Sequence, residues 1–342
     1  MRSYRKPAAV GLGCLTALVT TGCSEQAEPV DRARPAPSAT AAPGTSPPAG
    51  AGTAYAPYVS ATDAAGTDSA GSPTTYNLAF VLADGDDCAP RWDGGRAIGD
   101  SAVKSRIARL MKNGGQVRVS FGGASGKELA AVCDSAPELA AAYGAALDAA
   151  GATRADFDVE GDELADSASV ALRSKAIALL QKERPDLEVS FTLPVMPSGL
   201  GEDSLALLGS ADDNGVQVAT VNLMTMNYGT SFDGDMGGYA RAAARAAHTQ
   251  LKKVFGTSDA AAWQGMALTS MIGVNDVDGE TFTLADAAEV RAFAEEKGIG
   301  WVSMWSAARD RQCVDGSKRD RPATDCSGVR QSPGAFAEAF AG

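Results

Sequence analysis

The chain has 342 residues, 45% hydrophobic and 21% charged, with a formal net charge of -12 and a single histidine. This composition describes a globular protein able to bury a sizeable core, and the acidic balance argues against a nucleic-acid groove or a polybasic membrane patch. His248 lies in Ala-Arg-Ala-Ala-His-Thr-Gln and reads as the exposed face of a helix, so a Ser-His-Asp triad or a multi-histidine zinc site lacks its parts.

Residues 1–23 read as an export signal. Arg2, Arg5 and Lys6 precede an apolar stretch from Ala8 to Val19, too short to span a bilayer, and Thr20-Thr21-Gly22-Cys23 follows. Cys23 after a small residue resembles a lipobox and is the expected lipidation site, although Thr20 stands where a large aliphatic residue is usual. Residues 24–53 are Ala, Pro, Ser, Thr and Gly with almost no large apolar side chain, which cannot offset the entropy of ordering, and so read as a disordered tether. The expected location is extracellular, tethered to the cell surface through the lipid or freely secreted.

From 54 to 342, short apolar runs alternate with alanine-rich amphipathic runs, the pattern of repeated βα units around a parallel sheet. The expected strands are Tyr55 to Ser60, Tyr76 to Ala83, Gln116 to Phe121, Ala155 to Glu160, Glu188 to Pro194, Gln217 to Tyr228, Gln264 to Ile272 and Gly300 to Trp305. Helices are expected at Ser101 to Asn113, Pro137 to Ala150, Ser167 to Arg184, Tyr239 to Phe255 and Leu284 to Lys297, with Gly114, Gly151, Gly256 and Gly298 as stops. One α/β domain, a (β/α)8 TIM barrel, accounts for this order. Its first crossover, Ala61 to Thr75, is polar and glycine-containing, so the helix there is short or degenerate. Cys88, Cys133, Cys313 and Cys326 are an even set in an exported chain, which favours disulfides; Cys313 and Cys326 bracket a short polar loop and pair, leaving Cys88 for Cys133. No spacing fits a metal site.

The segment Ala155-Asp156-Phe157-Asp158-Val159-Glu160 carries the chemistry. The period-two pleat of a strand sends its three carboxylates to one face and Phe157 and Val159 to the other. Like charges crowded on a buried face force at least one group to keep its proton, which is what a general acid needs. An exposed acidic edge strand would not alternate large apolar residues with the acids, and a calcium loop would need a downstream ligand pattern that is absent.

Asp156-x-Asp158-x-Glu160 resembles the last three acids of the Asp-x-x-Asp-x-Asp-x-Glu motif of glycoside hydrolase family 18. Three further segments resemble that family in the right order: Val119-Ser120-Phe121-Gly122-Gly123, Met224-Thr225-Met226-Asn227-Tyr228 and Met304-Trp305-Ser306. Ala56-Pro57-Tyr58-Val59, Leu78-Ala79-Phe80-Val81 and Met271-Ile272-Gly273-Val274-Asn275-Asp276 resemble its compact bacterial and archaeal chitinases. Two positions depart: Thr153 replaces the first acid, and Gly229 stands where an aspartate commonly follows the tyrosine.

The resemblance implies cleavage of β-1,4-linked N-acetylglucosamine, as in chitin, by a retaining mechanism in which the substrate's acetamido group is the nucleophile. Glu160 would be general acid and base, Asp158 would orient the acetamido group, and Asp156 would hold a proton behind it. Strand alternation would put Asn222, Met224, Met226 and Tyr228 on one face, with the Tyr228 hydroxyl on the acetamido carbonyl. Trp305 would floor the cleavage subsite, Trp92 could stack a neighbouring sugar, and Ser120, Gly122 and Gly123 would line the site. Asp276, helped by Asn275 or Asn227, would replace the missing aspartate. No cofactor or metal is implied, the partners are chitin or its oligosaccharides, and a monomer is expected. The alternatives are an endo-β-N-acetylglucosaminidase acting on N-glycans and a non-catalytic chitin-binding lipoprotein.

Overall fold

A computed structural model of the protein describes residues 52–112, 114–314 and 321–342. The expected signal, the Cys23 lipidation site and nearly all of the tether lie outside these residues.

The apolar runs form a closed ring of parallel strands. Strand β1 comes in two pieces, Ala54–Tyr55 and Tyr58–Ser60. It is followed by β2 (Thr75–Asp84), β3 (Gln116–Gly122), β4 (Arg154–Asp158), β5 (Glu188–Met196), β6 (Val218–Met224), β7 (Met266–Met271) and β8 (Trp301–Trp305). Each strand from β2 to β8 pairs in parallel with the next. The first piece of β1 pairs with β8 and the second with β2, so this segment closes the barrel. Pro57 divides it, having no N–H to give, but its carbonyl still accepts from the Asn77 N–H at 2.9 Å.

Register explains why alternate residues have opposite fates. Ser120, Asp156 and Ser190 are partners across β3, β4 and β5, and so are Phe121, Phe157 and Phe191. The phenylalanines face outward: Phe121 and Phe157 stack at 5.3 Å, and both meet Tyr143 at 4.8 and 4.9 Å. Tyr143 belongs to helix α2 below, so the opposite, inward face is the one that carries Ser120, Asp156 and Ser190.

The outer layer is α1 (Ser101–Met111), α2 (Ala136–Ala150), α3 (Ser167–Glu183), α4 (Glu202–Asp213), α5 (Met236–Phe255), α6 (Leu284–Lys297) and α7 (Ala335–Ala341). Asp100 and Ser135 cap α1 and α2, and a Thr283–Asp286 capping box opens α6. The sequence pattern does not announce α4 or α7, whose N-caps are Gly201 and Gly334 without a side-chain oxygen. As the composition of the first crossover predicts, no helix joins β1 to β2. Gly71 of that segment packs straight onto α7, where a Cβ would lie 2.6 Å from the Ala337 carbonyl oxygen.

Cys88 is joined to Cys133 and Cys313 to Cys326, the pairing expected. Among the described residues no helix is long and apolar enough to cross a membrane. His248 is not exposed: it is buried in α5, stacked on Trp263 at 3.9 Å, and Nε2 donates to the Asp259 carbonyl at 3.0 Å. The ring supplies apolar contact area there, which the sequence pattern does not distinguish from a surface position.

Candidate active site

Asp156 is fully buried and surrounded by hydroxyls. Tyr58 and Ser120 donate to its Oδ2 at 2.9 and 2.7 Å, while Ser190 and Thr192 donate to Oδ1 at 2.8 Å each. Asn222 orients two of these donors, its amide N–H reaching the Tyr58 and Thr192 oxygens at 3.3 and 2.9 Å, and its own oxygen accepts from Thr269 at 2.8 Å. Four hydroxyl donors thus occupy both oxygens of Asp156 and fix its orientation. Ser120 is likewise a holder of Asp156 and does not line a sugar site.

Asp158, one pleat further on, is the opposite case. Its Oδ1 is buried without a hydrogen-bond partner, and burial first, then Glu160, Asp156 and Glu128, push its carboxyl well above the usual range. The neutral acid is therefore the form this site accommodates. Gly122 and Gly123 make the close packing possible. Both have φ +95°; a Cβ on Gly122 would fall 2.2 Å from the Asp158 carbonyl oxygen, and one on Gly123 would meet the Phe80 ring at 2.8 Å. Behind them Glu128 and Arg173 form a buried two-bond ion pair.

Glu160 lies just past the end of β4. Its backbone stays extended (φ -134°, ψ 167°), so its side chain keeps the strand's alternation. It precedes a short helix, Gly161–Ala165, but makes no side-chain cap with it, leaving the carboxyl uncommitted. Burial first, then the negative charge of Asp276, raise it from 4.5 to about 7.

The aromatic wall differs from the one expected. The phenol beside the acids is Tyr58, whose ring lies 5.7 Å from Trp305 and 6.3 Å from Phe80, while Phe80 and Trp305 are 5.5 Å apart. Phe80 and Trp305 keep partial exposure and Tyr58 is buried beneath them. The Tyr228 ring packs on Phe232 and Tyr239 at 5.9 and 6.1 Å, and its hydroxyl is buried without a partner. The alternation expected along β6 stops at Met224, because Asn227 takes φ +55° and turns the chain. Met224 remains half-buried and Met226 buried at that end of the barrel. Trp92 is no sugar platform either. The chain after β2 folds back as the antiparallel strand Asp87–Trp92, placing Trp92 opposite Val81, fully buried, with its indole N–H on the Ile98 carbonyl at 3.1 Å.

Asp276 is exposed on the loop after β7 and paired with Asn227, whose Oδ1 accepts the Asp276 N–H at 3.1 Å and whose amide donates to Asp276 Oδ2 at 3.4 Å. A second latch is Glu280, 1% exposed, which accepts the Gly229 N–H at 2.9 Å. Asn275 does not face solvent: it is 1% exposed and its amide donates to the Met271 and Gly273 carbonyls at 2.8 and 2.9 Å, bracing the loop. Among the described residues no cluster of histidine, cysteine, aspartate and glutamate could hold a metal.

A (β/α)8 barrel with interacting carboxylates at the C-terminal end of one strand, beneath half-exposed aromatic rings, has the layout of a glycosidase site. No family model matches the chain. It is 35% identical over 275 residues to a probable bifunctional chitinase/lysozyme of Escherichia coli, covering 75% of this chain and 31% of that protein. It is 34% identical over 274 residues to endochitinase 11 of Metarhizium anisopliae, covering 75% of this chain and 52% of that one. The chain thus spans about half or less of these relatives. The catalytic domain of a chitinase from Pyrococcus furiosus superposes with a TM-score of 0.75 at 28% identity, covering 85% of this chain and 94% of that one. Catalytic-site mutants of a Pyrococcus furiosus chitinase domain, equally similar, have been crystallised with chito-oligosaccharides. Over three quarters of its length the chain is thus similar to chitinases, and it shares the barrel of a chitinase catalytic domain.

Proposed function

We propose that the protein hydrolyses β-1,4-linked N-acetylglucosamine chains, with Glu160 as the acid that protonates the leaving oxygen and then the base that activates water. The observation that carries this reading is a carboxyl raised to about 7 and left free of hydrogen bonds to its own helix, with Asp158 buried behind it. An acid with that value is half protonated near neutrality and gives or takes a proton with equal ease. The chito-oligosaccharides bound by the similar Pyrococcus domain support the substrate class.

The residues divide the work as follows. Asp156, held by four hydroxyls, is a rigid acceptor behind Asp158. Asp158, pushed toward the neutral form, keeps its proton, and its carboxyl oxygen accepts the acetamido N–H, which turns the acetamido oxygen toward the anomeric carbon. The attacking group is the acetamido oxygen of the substrate itself, so no second protein carboxylate acts as nucleophile. Trp305, with Phe80 beside it, offers an apolar floor to the sugar face. Asp276 with Asn227 takes the place of the aspartate replaced by Gly229 and meets the acetamido group, and Asp276→Ala retaining wild-type rates would refute that assignment. The barrel works as a monomer, exported by 1–23 and held at the surface through Cys23 and the 24–53 tether. Loss of membrane retention in Cys23→Ser tests the anchor.

Hydrolysis of a chromogenic N-acetylchitobioside by wild type and by Glu160→Gln tests the chemistry. Glu160→Gln keeps oligosaccharide binding and loses on the order of 100-fold or more in kcat. Release of high-mannose glycans from a glycoprotein, with chitin oligomers left intact, would instead select the N-glycan reading.

A further inference from the structure

We propose that Arg309 is a positioning residue for the reaction: from behind the last strand it clamps the loop that carries Asp276, and so fixes the charge that stands against Glu160. The inference rests on the reading of Glu160 as the reacting acid. Arg309 lies in the short turn Ala307–Arg309 after β8 and is 3% exposed. Its Nη2 donates to the carbonyls of Ile272 and Val274 at 2.8 and 2.6 Å, and its Nη1 to that of Ala323 at 2.5 Å. One guanidinium thus ties both sides of Gly273 to the segment beyond β8.

That segment is pressed directly on the loop. A Cβ on Gly273 would lie 1.9 Å from the Ser327 carbonyl oxygen, which accepts the Val274 N–H at 2.8 Å. The Cys313–Cys326 disulfide anchors the residue next to Ser327. Asp276 follows Val274 by two residues and is held on its other side by Asn227. The loop is therefore gripped from β6 and from β8 at once, with Asp276 between the grips.

A guanidinium in this place is costly. Arg309 makes no ion pair among the described residues, its Nε is buried without a partner, and burial lowers its own value to about 10. A neutral side chain would avoid that penalty. What it would lose is a rigid fork that satisfies three carbonyls and a positive charge that attracts Asp276. The other charged groups around the acids are Asp156 and Asp158 on β4, Arg118 on β3, the Glu128–Arg173 pair behind them with Glu163, and Glu280 on the Asp276 loop itself, whose carboxyl accepts from the Gly229 N–H.

The test is a double-mutant cycle on the full chain with two readouts, the carbon-13 carboxyl titration of Glu160 and the pH profile of kcat. Arg309→Met lowers the Glu160 midpoint below that of wild type, in the direction of Asp276→Asn, and lowers kcat on the order of tenfold. The combined variant is no further shifted than Asp276→Asn alone, because one residue acts through the other. Should Arg309→Met fail to fold, Arg309→Lys supplies the same cycle, since an ammonium reaches the carbonyls without the fork and gives a smaller shift. A folded Arg309 variant with the wild-type Glu160 midpoint, or effects that add to those of Asp276→Asn, overturns the proposal. A wild-type Glu160 that titrates near 4.5 overturns the functional reading as well, whereas a raised Glu160 that depends on Arg309 in a protein inactive on chitin oligomers removes only the substrate.

Discussion

Replacing Glu160 by glutamine should stabilise the barrel at alkaline pH while removing its activity. The carboxyl titrates at about 7 in the fold against an ordinary 4.5, and each pH unit of difference corresponds to roughly 1.4 kcal/mol. The carboxylate form therefore costs the folded state about 3 kcal/mol relative to the unfolded chain, an upper bound because burial penalties relax. The folded chain holds the proton up to about pH 7, whereas the unfolded chain releases it near 4.5. Wild type thus loses stability as pH rises between those values, and the loss is complete above 7. Glutamine mimics the neutral acid, so Glu160→Gln matches wild type below pH 4.5 and gains up to about 3 kcal/mol at pH 8. Urea unfolding of both proteins from pH 4 to pH 8 measures this directly. A difference that stays constant across the range, or wild type proving the more stable at pH 8, would mean that Glu160 is solvated and not poised.

The same titration places the alkaline limb of hydrolysis near pH 7, and Asp276→Asn, which removes the second cause of the shift, moves that limb to lower pH in an initial-rate profile. Thr192→Val deletes one donor to Asp156 at nearly constant volume and leaves the Asn222 amide only its longer bond to Tyr58; it costs on the order of 1 to 3 kcal/mol in urea unfolding. Gly122→Ala drives a methyl into the Asp158 carbonyl at φ +95° and destabilises by roughly 3 kcal/mol or more, whereas Gly215→Ala, in open space at φ +75°, costs roughly 1 to 2 kcal/mol. Trp92→Phe lowers the thermal midpoint and leaves KM for chitin oligomers unchanged, while Trp305→Phe raises KM, a contrast that follows from full burial of the first indole and partial exposure of the second.

The barrel and its acids are legible in the sequence because both follow from local periodicity. Alternation sends Phe157 to the helices and Asp156 and Asp158 inward, and glycine stops such as Gly151 and Gly298 end helices in the left-handed conformation the pattern predicts. The same rule carries only as far as Met224 on β6, since Asn227 reverses the backbone before Tyr228. Trp92 was misplaced because a rim loop was expected where the chain returns as a strand over β2. Tyr58 lies in a motif that resembles the family, yet its bond to Asp156 spans 98 residues and no spacing announces it. Arg309 is harder still: its partners are backbone carbonyls, and every residue carries one.

The split first strand has a consequence for how the molecule can be made. Among the described residues its leading piece pairs as a strand only with Trp301–Val302, and Tyr55 stacks on Phe340 of α7 at 6.3 Å. The first piece of the barrel to be made thus finds its strand partner only once the eighth strand has followed it. Such a seam closes late: until the eighth strand arrives, the leading piece of β1 carries unpaired peptide groups along one flank.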